Sequence, residues 1–259
     1  MQSKSIVLYI KFGTVLRYLQ DAKTGWPFHG NKFVKDNINW FFGYLKDFNL
    51  IVTSRASEEL REFYNELNEF GEDHKLTADQ ASRLSSMMTD IRKTLEAEAR
   101  GNIAFIVSDK RIDVNKLLSS VETLMSPNIY ILLPEVAQYD FNEAGKCIAF
   151  ERPTAAAFHI LRGTEAVLRF FYCTLVKKKR VSPLLWGPIL TSLRKRRVPP
   201  LEMLNNLDNI RLSFRNPTQH PEKIYDIQEV QDLFSLCVDV INRMISYLKS
   251  QKLIDEQSS

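Results

Sequence analysis

The closing stretch of the chain carries the pattern that most restricts the fold. Ile227, Val230, Phe234, Cys237, Ile241, Met244 and Leu248 recur at alternating intervals of three and four residues. An α-helix, at 3.6 residues per turn, brings such a series onto one side. Asp226 stands where the first turn needs an acceptor, and Glu229, three residues on, completes the pattern of a capping box. A helix of this length must bury its stripe, against the rest of the chain or against a second copy in a dimer.

Helical periodicity runs through most of the sequence. Pro153 suits a first helical position, and Ala157, Leu161, Leu168 and Tyr172 follow on one side. Leu201, Leu204, Leu207, Ile210 and Phe214 mark a further helix after Pro199-Pro200. Upstream, Thr77 and Gln80 read as a capping box for a helix carrying Leu84, Ile91 and Leu95 and ending at Gly101. Asp113 caps another. Segments 5–20, 32–49 and 57–72 read as helices, the second aromatic over most of its surface. Nine glycines in 259 residues argue against a sheet-rich fold. Two short apolar runs interrupt the helices, Ile103–Val107, which is rich enough in β-branched residues for a strand, and Ile129–Leu133. The expected fold class is mainly α with at most a small β element. The expected boundary is at 142/143, separating a helical N-terminal domain (1–142) of unassigned function from a helical domain at 143–259.

Charge is uneven between the parts. Residues 1–150 hold 18 Lys/Arg against 20 Asp/Glu, whereas 151–259 hold 17 against 11. The basic excess suits a polyanionic partner for the C-terminal part. Much of it lies in two clusters, Lys177-Lys178-Lys179-Arg180 and Arg194-Lys195-Arg196-Arg197, with no acidic residue between 177 and 197. Such clusters hold a nucleic-acid backbone or form a solvated surface. Three widely spaced cysteines (Cys147, Cys173, Cys237) suggest neither a disulfide framework nor a zinc site. No signal pattern opens the chain, and no apolar run nears the roughly 20 residues that span a bilayer. A cytoplasmic protein with no membrane contact is expected.

The chemistry-bearing stretch is Arg215-Asn216-Pro217-Thr218-Gln219-His220. A guanidinium grips phosphate with paired hydrogen bonds, and an imidazole moves protons near neutral pH. Two prolines, Pro217 and Pro221, suggest a stiff elbow between helices. In the preceding helix His159, Arg162, Glu165 and Arg169 fall within about a third of the circumference. They form either a solvated stripe, with Arg162–Glu165 and Glu165–Arg169 pairs, or a support that faces and orients the elbow.

The helix at 154–165, the Arg215–His220 stretch and the amphipathic helix after it together resemble the HEPN superfamily. The likeness covers roughly residues 143–250. It implies an antiparallel helical bundle and, in many members, metal-independent RNA cleavage in toxin or antiviral-defence systems. No cofactor or metal is implied. Active members usually form homodimers that bring two motifs into one cleft, and an antitoxin or defence-system partner is a further implication. The resemblance carries the catalytic roles onto Arg215 and His220, and the polar follower onto Asn216. A regulatory tyrosine found two residues after the histidine in one subgroup is Glu222 here; the nearest tyrosine is Tyr225. The leading expectation is thus a ribonuclease. The alternatives are a non-catalytic dimerising or RNA-binding module, and a DNA-binding regulator using the basic clusters.

Overall fold

The computed structural model describes residues 4–102 and 105–254. The chain forms two compact units, Met1–Phe105 and Ile106–Ser259. The described residues hold no β-strand; their sole β pairing is an isolated antiparallel bridge between Pro27 and Lys75. The fold is mainly α.

The first unit comprises α1 (Ile6–Gln20), α2 (Val34–Asp47), α3 (Ile51–Ala56), α4 (Glu58–Asn68) and α5 (Ala78–Ala99). Leu19, Phe28, Ile38, Phe41, Leu60, Phe63 and Leu84 are buried in its core. The aromatic α2 is only half inside: Ile38 and Phe41 are buried, while Trp40 is exposed. At the start of α5 the Gln80 amide N–H donates to Thr77 Oγ1 and the Thr77 N–H to Gln80 Oε1, closing the expected box. Farther along α5, the Glu98 carboxylate accepts from the Val52 and Thr53 N–H groups and the Thr53 hydroxyl at 2.6–2.9 Å, serving as a remote cap for α3.

The second unit comprises α6 (Val114–Ser119), α7 (Glu135–Ala149), α8 (Pro153–Leu175), α9 (Trp186–Arg196), α10 (Leu201–Ile210), α11 (Asn216–Thr218) and α12 (Ile227–Ser250). Its centre is α8, which packs on α7 and α12. The connection between α7 and α8 is three residues long, so the pair forms a tight helical hairpin. Two glycines allow its close packing. A Cβ on Gly163 would meet Asp140 Cβ and the Phe141 ring at 3.1 Å, and one on Gly145 would strike the Leu117 carbonyl oxygen. The α12 stripe is consumed inside this unit: Val230, Phe234, Cys237, Ile241, Met244 and Leu248 are all buried in the shared core.

The structure moves the expected boundary and the expected strand, and it gives the unassigned apolar run a conformation. The boundary falls at 105/106, because α7 runs through 142/143 and sinks Phe141, Ala144 and Ile148 into the core of the second unit. The run Ile129–Leu133 is a 3-10 turn at Tyr130–Leu132, its carbonyls bonded locally. Of the strand expected at 103–107, Ile103 and Ala104 lie outside the described residues, and Phe105–Val107 form no regular element, with Phe105 and Ile106 exposed.

Candidate functional site

From Leu201 the chain stays helical to Thr218, but not with one winding. After α10, residues Arg211–Arg215 form a π segment, in which the Asn216 N–H bonds the Arg211 carbonyl five residues back. Pro217 supplies a reason. It has no N–H for the Ser213 carbonyl and its ring crowds that group, so the turn before it widens. The expected elbow at 215–220 is therefore displaced. Arg215 and Asn216 still sit on helix, and the turn runs from Gln219 to Tyr225.

Tyr225 ties this turn down. Its buried hydroxyl donates to the Phe214 carbonyl at 3.1 Å and lies 2.6 Å from Thr218 Oγ1, which also donates to Phe214. Burial pushes the Tyr225 phenol above its ordinary value. The Tyr225 N–H donates to Thr154 Oγ1 near the start of α8. Arg215 meets the same helix farther along, its Nη2 lying 3.5 Å from Glu165 Oε2. Thr154 and Glu165 are about 16 Å apart along the axis at 1.5 Å per residue. The segment 215–225 thus flanks α8, antiparallel to it, over three turns. Midway along the segment, His220 is exposed, and its ring makes no hydrogen bond among the described residues. Asn216 is half-buried, with no side-chain partner there either. Glu165 also accepts from Arg169 at 2.6 Å, so two guanidiniums share one carboxylate.

The other half of the α8 stripe turns to α7. Asp140 is 0% exposed and accepts from Arg162 Nε at 2.8 and 3.0 Å and from Arg162 Nη2 at 2.5 Å. It also meets His159 Nδ1 at 2.9 Å. An ionised carboxylate only accepts, so Nδ1 carries the hydrogen and Nε2 is left for solvent or ligand. The hydrogen bond it donates to Asp140 raises the Arg162 guanidinium above its ordinary value. Of the two pairs in the solvated-stripe alternative, Arg162–Glu165 does not form, while Glu165–Arg169 does. Asp140 was missed because it lay at the expected domain boundary. The available signal was a carboxylate among Ala137, Phe141 and Ala144, on the buried face of α7.

The two basic clusters come together. Arg196 Nη2 donates to the Lys178 and Lys179 carbonyls at 3.4 and 3.0 Å. Arg180 caps the end of α8 through the Val176 and Cys173 carbonyls, and Arg194 pairs with Asp208. Lys177, Lys178, Lys179, Lys195 and Arg197 are exposed, with no side-chain partner among the described residues. Beside them a groove of about 570 Å³ is lined by Gly187, Thr191, Lys195, Asp208 and Arg211. Among the described residues no group of three or more His, Cys, Asp or Glu side chains could hold a metal ion, and no helix is long and apolar enough to cross a membrane.

No protein-family model, curated protein or solved structure matches the chain.

Proposed function

We propose that the chain is a metal-independent endoribonuclease of the HEPN type, working in the cytoplasm as a toxin or antiviral-defence effector. The observation that carries this reading is the exposed, unbonded imidazole of His220 on a segment that Arg215 and Tyr225 fasten along α8. RNA brings its own nucleophile, the ribose 2′-hydroxyl, so the protein need supply only proton transfer and charge stabilisation. His220 takes the 2′-hydroxyl proton as the oxygen attacks phosphorus. Arg215 holds the charge that grows on the phosphorane oxygens, a donor worth on the order of 3 kcal/mol in such sites. Asn216 orients the phosphate. The P–O5′ bond breaks, and the leaving oxygen takes a proton from the second His220 of a homodimer. A 2′,3′-cyclic phosphate and a 5′-hydroxyl result. The unpartnered lysines of the joined basic clusters hold the flanking backbone.

The test is incubation of RNA with wild type and His220→Ala in the presence of chelator. Wild type alone should cut and leave cyclic phosphate ends, and a strand with deoxyribose at the scissile position should survive. Equal cutting by both proteins, or cutting of the deoxy strand, defeats the proposal. The Arg215–Glu165 pair favours a second reading, in which Arg215 braces α8 and the unit is a non-catalytic RNA-binding or dimerising module. That reading expects Arg215→Ala to lose stability with no cleavage to lose.

A further inference from the structure

A wholly buried carboxylate is costly unless it is paired and fully bonded. Here Asp140 gives its acceptor capacity to two surface side chains, His159 and Arg162, and so fixes both against one face of the unit. Exposed aromatic rings flank this fixed pair. Tyr139, 57% exposed, lies with its ring centroid 6.5 Å from that of His159. Phe158, 51% exposed, precedes Arg162 by four residues on α8 and so shares its side of the helix. At 100° per residue Phe158, Arg162, Glu165 and Arg169 span only about 60° of arc. This strip lies between α7 on one flank and segment 215–225 on the other. It holds three guanidiniums, counting Arg215, against two carboxylates.

Core packing does not account for two large rings left in solvent beside an immobilised cation. Guanidinium and aromatic faces set side by side form the surface on which unpaired bases stack, and the excess of cations suits the strand that carries them. We propose that Tyr139, Phe158 and Arg162 form a stacking site for the bases of a single strand that runs past Arg215. Asp140 holds this site in shape before the strand arrives. Only the identity of that strand as substrate rests on the ribonuclease reading, because the site itself binds whether or not the strand is cut.

The test uses the full chain carrying His220→Ala, so that no strand is consumed, with a short fluorescent oligoadenylate as probe. Phe158→Ala and Tyr139→Ala should each weaken binding about tenfold, the scale of one lost base–ring contact. Phe158→Trp should retain it. The deoxy version of the strand should lose as much, since stacking does not read the 2′-hydroxyl. A strand of the same length with abasic sugars should bind weakly and be indifferent to both changes. Unchanged affinity in both alanine variants overturns the proposal, as does an equal loss on the abasic strand or no measurable binding by any of the proteins. A fall in molecular mass caused by the same two changes, with strand affinity intact, also overturns it and makes the rings an interface between copies of the chain. Both residues are exposed, so circular dichroism should show unchanged folding. If wild type proves unable to cut RNA while these binding differences stand, the ribonuclease reading fails and the stacking site remains.

Discussion

Arg162, with 60% of its side chain in solvent, closes Nε and Nη2 over the Asp140 carboxylate, which has no exposed surface at all. Removing the cation leaves the buried carboxylate with His159 as its remaining side-chain partner, and breaking such a pair costs about 3 kcal/mol. Arg162→Ala should destabilise the second unit by that order, far more than an exposed arginine normally does. Adding Asp140→Asn should recover part of the loss, because the stranded charge is then gone. Urea denaturation of the single and double variants measures both.

Gly145→Ala tests the fit between α6 and α7. Helix propensity alone favours alanine by about 1 kcal/mol. The new methyl group would strike the Leu117 carbonyl, which is backbone and cannot swing aside. Steric overlap of this kind costs about 1–3 kcal/mol, so the variant should be less stable than wild type. A rise in denaturation midpoint would show that α6 moves freely.

Alkaline pH should loosen the second unit. Burial raises the Tyr225 and Tyr130 phenols in the folded chain above their ordinary value. The folded state then keeps a proton that the unfolded chain loses near pH 10. The stability from this source is complete below about pH 10 and is lost as pH climbs through the raised values. Tyr225→Phe should shallow that decline. It should also cost about 1 kcal/mol at neutral pH, through the lost bond to Phe214. Thermal melts across the alkaline range provide the readout.

Salt dependence should expose the unpartnered cations. Each phosphate contact on a single strand contributes about 0.7 to the slope of log affinity against log salt. Changing Lys177, Lys178 and Lys179 to glutamine should reduce the slope by about 2. Changing Arg180, which already serves the Val176 and Cys173 carbonyls, should move it little and shorten α8 instead.

The long elements were legible because each carries its own signal. The α12 stripe, Pro153 at the start of α8, the Thr77 box and the Asp113 cap all stand where local pattern places them. The second box was legible only in half: Asp226 caps α12, but the Glu229 carboxylate turns to Lys223. Five-residue apolar runs such as Ile129–Leu133 carry no period that separates strand from turn. Within the site, the sequence leaves open whether the α8 stripe is solvated or faces the Arg215 stretch, and the structure pairs Arg215 with Glu165. Asp140 was not, because its partners lie 19 and 22 residues away across a hairpin. The winding of 211–215 was also hidden, since it depends on what Pro217 does to the turn before it.

That widened turn has a consequence for how the arginine is aimed. One surplus residue is accommodated between Arg211 and Asn216, and the wide turn sets the bearing of everything downstream. Were the same residues wound at the usual pitch instead, the downstream side chains would swing by roughly 100°. The bearing of one guanidinium towards α8 is thus set less by its chemistry than by a counting irregularity two positions ahead of a proline.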